Sequence, residues 1–203
     1  MATPEPTIDI DIEDRLHLGQ ADDGRAISEV EFAEAYYDEP WRYELVEGRL
    51  VVMSPEGTGH VQQSMPWLYR LGAYCLDHPH IVQAVVSQAW VRIDAKNARI
   101  GDIGVFLGGD LADLDIPRQV PDLMFEFVSP SAKDRRRDYV EKRAQYERIG
   151  IKEYVIVDRS DGKVTVLTLV GGVYEERALG AADTYETPRL PGFAVRLAEV
   201  LPR

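Results

Sequence analysis

Two acids stand where a strand should be apolar. Asp102 lies in Ile100-Gly101-Asp102-Ile103-Gly104-Val105-Phe106-Leu107, and Glu126 lies in Leu123-Met124-Phe125-Glu126-Phe127-Val128. Carboxylates are depleted in strands and costly to bury without a partner. Strand alternation puts Asp122, Met124, Glu126 and Val128 on one face. If the two strands are neighbours, Asp102 and Glu126 point into one pocket, where they repel. A hard divalent cation with oxygen ligands relieves that repulsion. The competing reading is an edge position, or a buried ion pair with an arginine. Lys142 is the third unusual residue. A helical wheel places it beside Tyr139, Tyr146 and Ile149, with Asp138 one turn earlier. It is either a lysine aimed at the carboxylate pocket, orienting a water and neutralising charge on a phosphate, or a surface lysine paired with Asp138.

Other residues give weaker signals. His60 begins a helix after a Gly-rich loop, as a metal contact or acid–base group or as a cap or packing residue. Asp138 reads as orienting Lys142 rather than as a metal ligand. Ser129 and Ser131 lack the Gly-x-Ser-x-Gly elbow of a serine nucleophile. His78 and His80 flank Pro79 in a turn and take no role. There is no Gly-rich phosphate loop and no dinucleotide fingerprint.

The elements that must position these residues can be read from periodicity. Ser28-Glu29-Val30-Glu31 has the form of a capping box. It opens a short helix to about Tyr37, with Val30, Phe32 and Ala33 or Tyr36 facing inward. Glu47-Gly48 joins Tyr43–Val46 to Arg49–Met53 as a tight hairpin. Val61, Met65, Leu68, Leu71 and Cys75 recur at steps of three and four, predicting a helix from about His60 to Asp77 with Pro66 bending it or in its first turns. Extended segments follow at Ile81–Ile93, Ile100–Leu107 and Leu123–Val128. A helix runs from about Tyr139 to Ile149 and stops at Gly150. Glu153–Asp158 is a buried strand, and Val164–Val170 with Val173–Arg177 forms another hairpin. Leu190–Leu201 is an extended docking segment. The class is α/β or α+β around a mixed sheet.

Composition bounds the function. The chain has 203 residues and a formal net charge of −12, which argues against a nucleic-acid binder held by bulk attraction. Residues 1–23 carry seven acids and one base, whereas residues 133–152 carry eight bases and four acids. That basic segment is either a phosphate contact or a solvated helix face. Residues 1–25 read as a flexible acidic tail and residues 26–203 as a single domain. The single cysteine, Cys75, excludes an internal disulfide and a cysteine zinc cluster, as in a reducing cytoplasm. No apolar run approaches the roughly 18 residues of a membrane span, and the N-terminus lacks a signal-peptide core.

The run Pro121-Asp122-Leu123-Met124-Phe125-Glu126-Phe127-Val128-Ser129-Pro130-Ser131 resembles the Uma2 family of endonucleases, within the PD-(D/E)xK nuclease superfamily. Further pieces match in order: Tyr43–Val51, Ser54-Pro55 followed by His60, Asp102, Asp138, Lys142, Tyr146, then Gly150–Tyr154 and Val157-Asp158. The resemblance spans roughly residues 28–180. It implies a restriction-endonuclease-like fold, a mixed central sheet flanked by helices with extra β-hairpins. It implies divalent-metal-dependent phosphodiester hydrolysis, with DNA the expected substrate. Asp102, Glu126 and the Phe127 carbonyl would hold Mg²⁺ or Mn²⁺. The superfamily lysine normally stands two residues after the acid. Val128 is there, and Lys142 on the helix takes its place. Gly101 replaces the motif's proline, a loss affecting backbone geometry alone. Glu44 resembles an acid that some nuclease folds add to the metal site. Arg135, Arg136 and Arg137 would hold the phosphate backbone. A homodimer is expected by analogy with enzymes that cut both strands. The alternative is a catalytically inactive nuclease-fold module that binds nucleic acid or a protein partner, and a third reading is a hydrolase of small phosphorylated substrates.

Overall fold

A computed structural model of the chain describes residues 15–108 and 120–201. These residues fall into two compact units: the residues up to Pro55 with Asp94–Asn97, and the remainder. Residues 1–14 of the expected tail lie outside the described residues. Residues 15–25 hold β1 (His17–Leu18) and a 3-10 turn at Gln20–Asp22, and Leu18 is fully buried.

In the smaller unit, α1 (Glu29–Glu34) starts at Ser28 with the predicted capping box. Ser28 Oγ accepts from Glu31 N at 3.2 Å, and Glu31 Oε2 accepts from Ser28 N at 2.8 Å. The helix is shorter than its pattern suggested. The chain turns into β2 (Tyr36–Tyr37), which pairs parallel with β1. Phe32 is the buried anchor of α1, while Val30, Ala33 and Tyr36 are exposed. β3 (Arg42–Val46) and β4 (Arg49–Met53) form the expected hairpin. Glu47 and Gly48 both have positive φ, 52° and 73°, as a two-residue type I′ turn requires.

The larger unit opens with α2 (Thr58–Asp77), which contains Pro66. β5 (Val82–Asp94) and β6 (Asn97–Leu107) pair with each other. β7 (Leu123–Phe127) lies antiparallel to β6, with Ile103 opposite Phe125. A helical segment then crosses over as α3 (Ala132–Arg136), a π-helical turn at Arg137–Lys142, and α4 (Arg143–Ile149). It delivers the chain to β8 (Glu153–Asp158), parallel to β7, as a crossover of this kind must. β9 (Lys163–Val170) and β10 (Val173–Gly180) extend the sheet antiparallel, giving the order β10-β9-β8-β7-β6. β11 (Thr184–Glu186) and β12 (Ala194–Arg196) form a separate pair. The result is the mixed sheet with helices and extra hairpins that the sequence implied. Among the described residues, no helix is long and apolar enough to cross a membrane.

β7 is buried on both faces. Leu123, Phe125 and Phe127 join Trp67, Leu71 and Tyr74 of α2 in one core cluster, while Met124 and Val128 join Tyr146, Tyr154 and Ile156 in the other. The buried stripe of α2 is thus Trp67-Leu71-Tyr74, with Leu68 and Cys75 beside it. Val61, expected to face inward, is exposed. The helix carries more apolar residues than one face can bury, so the period alone did not choose between two stripes.

Side-chain packing around β6 depends on two glycines. A Cβ at Gly104 would lie 2.6 Å from the Ala89 Cβ, and one at Gly101 would lie 2.0 Å from the Met124 sulfur. Gly101 is therefore more than a neutral replacement for proline, because Met124 fills the space a side chain would take. Gly104→Ala meets an atom that cannot rotate away and is expected to cost about 1–3 kcal/mol, read as a fall in midpoint on urea unfolding. An unchanged midpoint would contradict this packing.

Glu153, at the start of β8, ties the C-terminal segment down. It accepts from Tyr185 Oη at 2.5 Å and Thr187 Oγ1 at 2.8 Å. Burial raises its carboxyl above the ordinary 4.5, against the pull of those hydroxyls and of Arg189 and Arg177. A raised carboxyl contributes stability that is complete below the unfolded value and fades as pH rises through the folded one. Glu153→Gln, which keeps an acceptor for Tyr185, should flatten that decline in unfolding curves taken from pH 4 upward. A wild type that loses no more stability than the variant over this window would be the contrary result.

Candidate active site

Four elements of the larger unit bring titratable side chains together. β6 supplies Asp102, β7 supplies Glu126, and the helical segment after β7 supplies Asp138, Lys142 and Tyr146. The start of α2 supplies His60, with Glu56 just before its cap. The π turn sets the geometry on the helical segment. In an α-helix, residues four apart overshoot a full turn by about 40°, so positions 138, 142 and 146 would fan out. A π turn, with its i→i+5 bonds, takes up the extra residue. The π turn covers the step from Asp138 to Lys142, and Asp138, Lys142 and Tyr146 are all buried, at 1%, 2% and 0% exposure. Tyr139, expected to share that side, packs with Ile149 against the core cluster that contains Tyr146, and its hydroxyl donates to Asp158 Oδ2 at 3.0 Å.

Lys142 is therefore not a surface lysine. Its Nζ donates to Glu126 Oε1 at 2.8 Å and to the Ile100 carbonyl at 2.7 Å, and it stands 3.9 Å from Asp138 Oδ1. Tyr146 Oη donates to the same Glu126 oxygen at 3.1 Å. Tyr154 Oη donates to the Asp138 carbonyl at 3.0 Å and fixes the turn from below. Burial pushes the Glu126 carboxyl up to about 8, helped by the charges of Asp102 and Asp138 and opposed by Lys142. Asp138 is raised too, chiefly by burial, against Lys142 and Arg137.

Asp102 behaves in the opposite way. Burial works to raise its carboxyl, but His60, Lys142 and the Phe127 amide outweigh it and hold it below the ordinary value. Phe127 N donates to Asp102 Oδ2 at 2.8 Å, so Phe127 enters the site through its amide, and its ring meets His60 edge-on at 6.0 Å. His60 Nε2 lies 3.3 Å from Asp102 Oδ1 and 3.6 Å from Glu56 Oε1. Ligand atoms of Glu56, His60 and Asp102 all lie within 4.8 Å of one another. This set of two carboxylates and one imidazole has the chemistry to hold a divalent cation.

Sequence reasoning missed Glu56. Its signal was its position four residues before His60, across the start of a helix, but the segment read as loop. Glu44 is buried in β3 of the smaller unit. The three arginines of the basic run are tied to acids. Arg135 reaches Asp158 at 2.5 Å and Asp161 at 2.8 Å, Arg137 reaches Asp134 and Asp138 at 3.0 Å each, and Arg136, three-quarters exposed, stands 3.4 Å from Glu141.

Residues 30–198 match the model of the Uma2 family, described as "Putative restriction endonuclease". The chain belongs to the Uma2 family. Its fold matches a crystal structure described as "a putative nuclease belonging to DUF820", from Anabaena variabilis. The TM-score is 0.68 at 14% sequence identity, over 86% of this chain and 97% of that one. No curated protein matches the chain. Family and fold together support a nuclease of the Uma2 type.

The geometry predicts a saturable Mn²⁺ site in this Uma2 protein. Calorimetric titration should show binding that Asp102→Asn and His60→Ala each weaken about tenfold or more. Equal affinity in all three proteins would remove these residues from any metal centre.

Proposed function

We propose that this Uma2 protein is a divalent-metal-dependent endonuclease that hydrolyses phosphodiester bonds in DNA. One observation carries the reading: a buried lysine held 2.8 Å from a buried glutamate, next to a carboxylate–imidazole set fit for a cation. Asp102 and Glu126, with Glu56 and His60 beside them, would hold Mg²⁺ or Mn²⁺. When bound, the cation supplies Lewis acidity and lowers the pKa of a coordinated water. The chain's own residues do the rest. The Phe127 amide and His60 hold Asp102 ionised and oriented. Tyr146 and Lys142 fix the Glu126 carboxylate. Lys142, anchored by the Ile100 carbonyl, places a fixed positive charge where a phosphoryl oxygen gains negative charge. Burial strengthens that interaction by lowering the local dielectric. The Phe127 carbonyl completes the ligand set by family analogy, and Asp138 orients Lys142 from one turn away. Arg136, the most exposed of the three arginines, is the best placed to meet a phosphate backbone.

A second reading is a non-catalytic nuclease-fold module that binds nucleic acid or a protein. The pairing of Arg135 and Arg137 with carboxylates and the net charge of −12 favour it. In the same vein, a cytoplasmic setting accords with the lone cysteine.

Cleavage of supercoiled plasmid, single-stranded DNA and RNA in Mn²⁺ and Mg²⁺ tests the proposal. Asp102→Asn, which keeps an acceptor for the Phe127 amide, should lower the cleavage rate by about 10²-fold or more. Lys142→Ala should abolish cleavage and also lower stability, because it strands Glu126 without its cation. Wild-type protein that binds DNA without cutting it in either metal favours the second reading. Full activity in Lys142→Ala defeats the mechanism.

A further inference from the structure

α2 has two apolar faces, and the core uses one. On the other, Tyr69 is 68% and Leu76 83% exposed, with Val61 at 39% and half-buried Met65 on the same side. These positions, with Gly72, follow one another at helical spacing and form a single stripe. No acid or base lies on it: Arg70 is off the line and pairs with Glu199 at 3.0 Å. A stripe this apolar on a chain of net charge −12 calls for a partner surface.

The stripe is symmetric about its own midpoint. Val61 and Leu76 are equidistant from the Leu68–Tyr69 bond, and so are Met65 and Gly72. An antiparallel copy of the same helix would set Val61 against Leu76 twice and Met65 against Gly72 twice, with the two Tyr69 side chains flanking the axis, half a residue to either side. Gly72 leaves a notch, since a Cβ there would meet nothing within 4 Å, and the other copy's Met65 fits it. Charge agrees with this orientation. Asp77 ends α2, and no basic residue stands in its last turn, the wrong sign for the negative end of a helix dipole. Antiparallel pairing carries that carboxylate to the other copy's first turn, where the helix end is positive and N–H groups lack intrahelical partners. Between two molecules of like net charge, an uncharged seam is also where repulsion is least.

We propose that the outer face of α2 is a homodimer contact, two copies packing antiparallel about a two-fold axis at the Leu68–Tyr69 bond. The contact is isologous, so it closes on itself and forms no higher chain. One helix of 20 residues, about 30 Å long, gives an interface at the small end of specific complexes, so the dimer is weak and concentration-dependent.

Sedimentation equilibrium of the full chain up to about 1 mM tests it, a concentration at which even a weak specific contact populates a dimer. The expected result is a monomer–dimer equilibrium in the wild type that Leu76→Glu shifts to monomer, with unchanged unfolding midpoint because the side chain is exposed. Tyr69→Cys in a Cys75→Ser background should form a disulfide-linked dimer under mild oxidation, since the axis brings residue 69 against its own copy. A wild type monomeric throughout overturns the proposal and assigns the stripe to another partner. A dimer that Leu76→Glu leaves intact, or that Tyr69→Cys fails to cross-link, places the contact elsewhere and overturns it equally. None of these outcomes depends on nuclease activity.

Discussion

The site depends on one buried ion pair, Lys142 with Glu126. Both side chains are at most 3% exposed. Each would be expensive to bury alone, and together they are tolerable only because further polar groups complete the set. Lys142 has the Ile100 carbonyl as well as the carboxylate, and Glu126 has the Tyr146 hydroxyl as well as the lysine. This requirement reaches back into the fold. β7 must lie beside β6 for Ile100 and Glu126 to converge on one Nζ. The crossover after β7 must place its helix over the face that carries Met124 and Val128. The π turn must bring Asp138 and Lys142 to the same buried side.

Much of this could be read in the sequence, and the misses share a physical cause. Asp102 and Glu126 stood out because a charged residue in an apolar strand violates a local rule, and such violations mark functional sites. Strand alternation predicted the face of Glu126 correctly, because a period of two admits no drift. The helical wheel placed the inward side. It found Lys142 on the inward side with Tyr139, Tyr146 and Ile149, which pack on one core cluster, but an ideal wheel assumes a constant turn and gave no sign of the π turn. α2 failed for a different reason. Its sequence offers two apolar stripes, and the choice between them depends on what Trp67 and Tyr74 meet on the sheet. Glu56 was hidden because its partners, His60 and Asp102, come together only in three dimensions.

The basic run shows how composition misleads when charges are counted without their neighbours. The segment from 133 to 152 has an excess of bases, yet Arg135 and Arg137 spend their charge on Asp158, Asp161, Asp134 and Asp138. Arg135 also lies over the Tyr139 ring at 5.4 Å, with Lys163 over the same ring at 5.4 Å. These contacts pin α3 and the π turn to the end of β8. They position the helix that carries Lys142 more than they advertise a phosphate-binding face.

The cost of the cluster is itself informative. Asp102, Glu126, Asp138 and Lys142 are four ionisable groups in the interior, and three of them are acids. Replacing a buried ion pair by well-packed apolar residues of similar volume is often neutral or stabilising by about 1–4 kcal/mol. Stability therefore gives no reason for this arrangement. Its internal asymmetry points the same way. One carboxyl, Asp102, is held below its ordinary value by His60 and an amide, while its neighbour Glu126 is pushed up to about 8 by burial. Carboxyls driven in opposite directions by burial and by specific partners are a mark of a functional site rather than of packing. A sheet that needed only to be packed would have apolar residues at both positions. Here the charged cluster is kept, and Tyr146, Tyr154 and Tyr174 pack beside it in the same core.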